Sequence, residues 1–80
     1  MDYIQKVIPL SDYRLKVMMT NDNILIVDFK PKLYSAKYII LKDIEIFEAV
    51  STDGNYIFWE KGGLKITAKE VIEVILAGKV

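Results

Sequence analysis

The sequence of 80 residues contains no cysteine and no histidine. Without cysteine the chain forms no disulfide and has no thiolate nucleophile, and without histidine it lacks the His-assisted serine or cysteine triads of many hydrolases. Metal sites built from thiolate or imidazole ligands are excluded for the same reason. We therefore expect no metal and no cofactor, and we predict that the chain is not an enzyme.

An excess of one charge and long apolar runs are also missing. Eleven basic and eleven acidic side chains give a net charge of zero, so no overall field attracts the chain to nucleic acid or to a membrane. The longest apolar runs, such as residues 24–27 and 38–41, are far shorter than the roughly 20 residues that span a bilayer. Because residues 1–6 do not resemble a signal peptide, we expect a cytoplasmic protein without a membrane partner.

The residues that are present indicate one small folded domain. Apolar and aromatic residues make up 52% of the chain and charged residues 28%, a composition that folds. Residues 1–80 are about the length of a single domain. A chain this short buries only about 60% of its unfolded surface, so it needs a dense aliphatic core or association with another chain for stability.

The N-terminal half has the pattern of a β-hairpin. Apolar and polar residues alternate in residues 13–19, a polar turn follows at residues 20–23, and residues 24–29 return as a second strand. Residues 3–10 alternate less regularly, and Pro9 lacks an amide donor, which predicts an edge strand. Pro31 then predicts a short helix that runs to about residue 37.

The middle of the chain leaves two assignments open. The apolar run at residues 38–41 is too short to be assigned to a helix or a strand. Asp43 is placed either to cap a helical turn that ends at Phe47 or to precede a strand that ends near residue 52. A strong turn follows at residues 53–55.

The C-terminal third predicts two short strands and a helix. The strand at residues 56–60 has Ile57 and Trp59 on one face, and a Gly-Gly reversal leads to a second strand at residues 64–66. Thr67 and Glu70 form a capping box that begins the helix. Gly78 is placed to end the helix, and Lys79 complements the negative end of its dipole.

These elements predict an α+β fold. It comprises a small, mostly antiparallel sheet, made from the N-terminal hairpin and the C-terminal short strands, with one clear C-terminal helix and one or two short helical turns.

Three stretches of the chain carry residues in a recognisable order and spacing. They are Pro9, Leu10, residues 12–15 and 27–29; residues 41–43 with Phe47 and Val50; and Gly54, Ile57, Trp59, Gly62 and Leu64. These stretches resemble the bacterial "domain of unknown function 2442" family. The resemblance implies a small α+β fold with no established activity, catalytic residue or cofactor. It also implies a toxin–antitoxin-like pair of genes, because some similar genes lie beside a second small family. Two positions depart from the family pattern, Asn23 in place of a common glycine and Gly63 in place of a frequent acid.

One candidate function is that of a nucleic-acid-binding or antitoxin-like regulator that acts through residues 30–42. This segment contains four lysines and no acid, and two tyrosines lie between the lysines. Lysine with aromatic rings is typical of surfaces that bind single strands. The acidic segment at residues 43–60 follows directly, so ion pairing between the two segments is the simpler interpretation. The candidate contacts are Lys30, Lys32, Lys37, Lys42, Tyr34 and Tyr38.

The leading hypothesis is a non-enzymatic module that acts through protein–protein contact, either as a homodimer or with another chain. Val71, Val74 and Ile75 form an apolar stripe that is wide enough to pack a helix on one sheet. Ile72 and Leu76 widen that stripe, which predicts either a broad sheet that buries them or a partner that covers them. Trp59 is a further interface candidate, because tryptophan is frequent both in cores and at binding hot spots.

Overall fold

The computed structural model describes residues 3–77, which form six strands and two α-helices joined by turns and three short 3₁₀ segments. The strands are β1 (Ile4–Leu10), β2 (Arg14–Met19), β3 (Ile24–Asp28), β4 (Val50–Thr52), β5 (Tyr56–Trp59) and β6 (Leu64–Thr67). The α-helices are α1 (Ile44–Glu48) and α2 (Ala68–Ala77), and the 3₁₀ segments are Lys30–Lys32, Ile39–Lys42 and Glu60–Gly62. The predicted α+β class is confirmed.

The strands form two antiparallel sheets of three. In the N-terminal sheet, of order β1-β2-β3, Val17 faces Val7 on one side and Leu25 on the other. The C-terminal sheet has the order β4-β5-β6. The two sheets meet where the amide of Ile4 donates to the carbonyl of Gly54 at 2.9 Å. The fold therefore has two small sheets side by side where the sequence predicted one.

Helix α2 packs against β3 of one sheet and β6 of the other, and so covers a core shared by both sheets. Phe29 lies at the centre of an aromatic cluster, with the ring of Trp59 at 5.6 Å and that of Phe47 at 6.1 Å between centroids. Aromatic pairs in edge-to-face geometry add to the free energy gained by burial. The buried apolar residues are Ile4, Leu15, Val17, Val27, Phe29, Leu33, Tyr38, Leu41, Phe47, Ile57, Trp59, Ile66, Val71 and Val74.

Two side-chain caps begin the α-helices. The amide of Glu70 donates to Thr67 Oγ1 and the amide of Thr67 donates to Glu70 Oε1, both at 3.2 Å, which confirms the predicted capping box. Asp43 accepts from the amide of Glu45 at 3.1 Å. This cap begins α1, and the strand that was the alternative for this segment starts only at Val50. Gly78 and Lys79 lie outside the described residues.

Two predictions for the first half of the chain are wrong, and a segment that was left open is now assigned. Tyr13 is not part of β2, because its φ of 60° is left-handed, a conformation that costs most residues about 1–2 kcal/mol. The tertiary structure holds it there, since its hydroxyl donates to the carbonyl of Lys42 at 2.6 Å. The helix predicted to start near Pro31 is only the 3₁₀ segment Lys30–Lys32, and residues 39–42 are a second 3₁₀ segment.

Candidate functional site

Helix α2 has one buried face and one exposed apolar face. Val71 and Val74 are only 2% exposed, and they lie on the side that packs on the core. Ile72 is 51% exposed and Leu76 is 62% exposed. These two residues are four apart and therefore lie together on the helix surface, about 100° round from Val71. Ile72 and Leu76, called the helix surface below, are thus left uncovered by the two sheets.

The helix surface continues into a small apolar groove between α2 and the N-terminal sheet. The groove has a volume of about 50 Å³, and Ile72 lies on its wall. Each strand of the N-terminal sheet contributes to the opposite wall. The residues that line the groove are Ile4, Val17, Met19, Leu25, Ala68, Val71 and Ile72. The exposed side of α2 is therefore connected through Leu25 to strand β3.

Strand β3 carries a second exposed apolar pair, which the sequence analysis did not identify. Ile24 and Ile26 are each 51% exposed and lie on the outer face of the N-terminal sheet, opposite the face that α2 covers. Leu25 and Val27 point to the inner face. Because all four residues from 24 to 27 are apolar, the period of two that normally distinguishes the faces of a strand is hidden here. Exposed positions of a strand usually carry polar residues, and these would have shown which side faces outward. Ile24 and Ile26 stand at those positions, so this signal is absent.

Trp59 does not take part in an interface of the folded chain, which corrects the prediction that it is an anchor. Its side chain is 0% exposed, and its indole N–H donates to the backbone carbonyl of Phe47 at 3.0 Å. A ring that is fully covered by its own chain has no surface to offer a partner. Of the three predicted interface residues, the structure exposes only Ile72 and Leu76.

Three of the four lysines predicted to contact nucleic acid already interact within the chain. Lys30 pairs with Asp12 at 2.5 Å, and this hydrogen bond raises the pKa of Lys30. Lys37 forms an ion pair with Glu70 on α2. The ammonium group of Lys42 lies 4.3 Å from the centroid of the Tyr34 ring. The cations of this segment are therefore spread over separate intramolecular contacts.

The two tyrosines of the same segment have different environments. Tyr34 is 80% exposed, but Tyr38 is 6% exposed and packs on Phe29. Burial raises the pKa of the Tyr38 hydroxyl, and the charge of Glu73 raises it further. A buried ring cannot stack on a base, so Tyr38 is removed from the predicted contacts. Lys32 is half-buried, and the six residues do not form one basic and aromatic surface.

Acidic side chains within the described part of the chain contribute to a cavity but to no metal-binding group. Within residues 3–77, no group of three or more acidic side chains could hold a metal ion. A shallow cavity of about 360 Å³ is lined in part by Asp53, Glu60 and Lys65. The amides of Tyr56 and Asn55 donate to Asp53 and lower the pKa of its carboxyl. This shift is opposite to the raised pKa that a carboxylate needs to act as a general base near neutral pH.

None of the helices described here combines the length and the apolar character that crossing a membrane requires.

Comparisons with protein-family models, with curated proteins and with solved structures found no match to this chain. The resemblance given above therefore rests on the quoted residues alone, and the chemistry of the exposed surfaces is the basis for assigning a function.

Proposed function

We propose that the chain is a small, non-enzymatic module that acts through protein–protein contact at the helix surface. The observation that carries this proposal is the exposure of Ile72 and Leu76, at 51% and 62%, on a helix that already buries Val71 and Val74. Packing α2 on the sheets needs only the buried stripe. More than half of each of these two aliphatic side chains stays exposed within residues 3–77, and this apolar area is available for a further contact.

The surroundings of the helix surface support this proposal. Lys69 and Glu73 are exposed on the same helix and place charged groups beside the apolar pair. An apolar centre with a polar rim is the usual anatomy of a protein interface. Covering the two side chains contributes a favourable free energy of about 25 cal/mol for each Å² of apolar area that is buried. The loss of rotational and translational freedom on association opposes this gain.

The family resemblance supports the same class of function through the arrangement of genes. If the chain belongs to a toxin–antitoxin-like pair, its working state is a complex with another protein chain. A second copy of this chain presents the same apolar pair, and a different partner chain would bring an apolar patch of its own. The proposal therefore concerns the surface, and either partner satisfies it.

The test is the substitution Leu76→Lys, with Ile39→Lys as a matched control at a 51% exposed isoleucine outside α2. We expect Leu76→Lys to abolish association and to leave the circular dichroism spectrum unchanged, because the new charge lies at an exposed site. Association is measured by light scattering on the purified chain and by co-purification with the co-expressed product of the adjacent gene.

Association that survives Leu76→Lys would contradict the proposal. An unfolded Leu76→Lys chain would place this residue in the core and would also contradict it. The double substitution of Lys32 and Lys37 by alanine separates the proposal from nucleic-acid binding. We expect this double substitution to leave a contact made by the helix surface unchanged. Binding of single-stranded nucleic acid would instead weaken.

A further inference from the structure

Strand β3 has one edge that pairs with β2 and one that pairs with no strand among residues 3–77. Two hydrogen bonds show which backbone groups face β2. Phe29 donates to the carbonyl of Tyr13 at 3.0 Å, and the carbonyl of Asn23 accepts from Met19 at 2.8 Å. Since backbone groups alternate in direction along an antiparallel strand, the odd-numbered residues of β3 face β2. The amides and carbonyls of Ile24, Ile26 and Asp28 therefore point to the open edge.

This edge carries no lysine, no proline and no bulge. Edge strands are commonly protected by lysine, proline or a bulge. Strand β1, at the other side of the sheet, has both Pro9 and an irregular register between Ile4 and Lys6. In β3 the register with β2 is unbroken from Asp28 to Ile24. The single charge of β3 is Asp28, at the end of the strand.

We propose that β3 pairs antiparallel with β3 of a second copy of this chain, which joins the two N-terminal sheets into one six-stranded sheet. The two-fold axis passes midway between Ile26 of one copy and Ile26 of the other. Ile26 then faces Ile26 of the second copy, and Ile24 faces its Asp28. This register uses all three outward-facing residues of each strand. Three pairs with two bonds each give about six backbone hydrogen bonds.

A second copy fits this edge because the strand is complementary to itself. In the proposed register the two Asp28 carboxylates lie at opposite ends of the joint, about 14 Å apart along the strands at about 3.4 Å per residue. Each Asp28 is also paired with Arg14, which lies on the neighbouring strand β2 of the same chain. The exposed Ile24 and Ile26 side chains of both copies meet on the outer face, where cross-strand apolar pairs stabilise the sheet.

The same arrangement brings the two helix surfaces to one side of the joined sheet. A two-fold axis perpendicular to the sheet keeps both α2 helices on the inner face. Ile72 reaches β3 through the groove that it shares with Leu25. The contribution of the helix rests on the function proposed above, with the partner now specified as a second copy, whereas the strand pairing rests on β3 alone.

The first test uses the wild-type chain, by light scattering and by amide hydrogen exchange measured with NMR. We expect a mass twice the 9.2 kDa of the chain. We also expect slow exchange at the amides of Ile24 and Ile26, and we expect this protection to be lost on dilution to the monomer. The amides of Leu25 and Val27 are the internal control, because they bond to β2 and stay protected in both states.

The second test is Ile26→Pro, which removes a donor at the open edge and leaves the bonds to β2 intact. Its matched control is Ile26→Val, which keeps the amide and a β-branched side chain. We expect Ile26→Pro to be a folded monomer and Ile26→Val to remain a dimer. If Ile26→Pro does not fold, the exchange of the wild-type amides still decides the question.

The outcomes separate this inference from the function proposed above. A wild-type monomer overturns the second copy as occupant and leaves the helix surface available to a different protein. A dimer whose Ile24 and Ile26 amides exchange rapidly, and which Leu76→Lys dissociates, overturns the strand pairing and supports the helix surface. A dimer that persists in both Ile26→Pro and Leu76→Lys overturns both.

Discussion

The two sheets are alike in size and topology, but their residues serve different purposes. In the C-terminal sheet, Ile57, Trp59 and Ile66 are all 0% exposed. On its other face the ammonium group of Lys65 lies 4.1 Å from the centroid of the Tyr56 ring. The N-terminal sheet also has a buried inner face, yet its last strand exposes half of Ile24 and half of Ile26.

This difference indicates how a chain of 80 residues can have both a core and an interface. The C-terminal sheet supplies the largest buried side chain and the strand that leads directly into α2. The N-terminal sheet and the outer side of α2 keep apolar area at the surface, where it is available for contact. We therefore expect substitutions in the first region to change stability and substitutions in the second to change association.

The largest effect is expected for Trp59→Ala. Removal of a fully buried aromatic side chain costs about 3–5 kcal/mol, a large part of the stability of a small domain. We expect a strongly lowered midpoint of urea unfolding, followed by circular dichroism. Ile26→Lys, measured under conditions where the chain is monomeric, is the control in the other sheet and is expected to change stability by about 0.5 kcal/mol or less. Equal midpoints for the two variants would contradict the division between the sheets.

A smaller effect is expected for Thr67→Ala, at the junction of β6 and α2. The variant loses the hydroxyl that accepts from the amide of Glu70, and loss of such a cap costs about 1 kcal/mol. Thr67→Ser keeps the hydroxyl and is the matched control. We expect urea unfolding to show a lower midpoint for the alanine variant only. If serine and alanine have the same effect, the capping hydrogen bond does not contribute to stability.

A still smaller effect is expected for Lys37→Ala, which breaks the ion pair between the segment after β3 and α2. The side chains of Lys37 and Glu70 are 47% and 27% exposed, and pairs with such exposure contribute about 0–1 kcal/mol. We expect the loss in thermal stability to shrink further in high salt because the pair is screened. A large, salt-independent loss would instead show that the stem of Lys37 packs in the core.

The smallest effect concerns pH, and it distinguishes the turns of the two sheets. Asp53 accepts from two turn amides of the C-terminal sheet, which lowers its pKa below the ordinary value of 3.8. In the N-terminal sheet the corresponding acceptor is Asn21, whose amide side chain accepts from the amide of Asn23 and does not titrate. A lowered pKa stabilises the folded state above pH 3.8, and this contribution is lost as the pH falls through the pKa of the folded state.

We therefore expect Asp53→Asn to remove part of the loss of stability in acid, because asparagine keeps an acceptor oxygen without a charge. The measurement is the thermal midpoint between pH 6 and pH 2, a range that spans the ordinary pKa of aspartate. Asn21→Asp is the converse variant and is expected to add acid sensitivity to the N-terminal sheet. An unchanged pH profile in Asp53→Asn would contradict the assignment.

Local signals were sufficient for the hairpin and for the start of α2. The capping box involves groups only three residues apart, and the turn between β2 and β3 follows from the polar residues between an alternating segment and an apolar one. The left-handed conformation of Tyr13 has no such signal, because it is maintained by contacts with Lys42 and Phe47 that are distant in sequence. The separation into two sheets likewise depends on long-range packing.

The candidate site could be predicted in part. The geometry of a helix places Ile72 and Leu76 beside the buried stripe, so their position follows from the sequence. The burial of Trp59 depends on Phe29, which is thirty residues away in the chain and packs edge-on to the indole. The exposed isoleucines of β3 were missed because a continuous apolar run does not show which residues face outward.

The position of the single tryptophan also has a spectroscopic consequence. Trp59 is the one tryptophan of the sequence, and its side chain is 0% exposed, so it is part of neither proposed contact surface. Its emission wavelength is therefore expected to change when the chain unfolds and to stay constant when copies associate, whereas its anisotropy rises with the size of the assembly. Emission wavelength and fluorescence anisotropy, recorded on the same unlabelled sample, would then report folding and assembly as two separate signals.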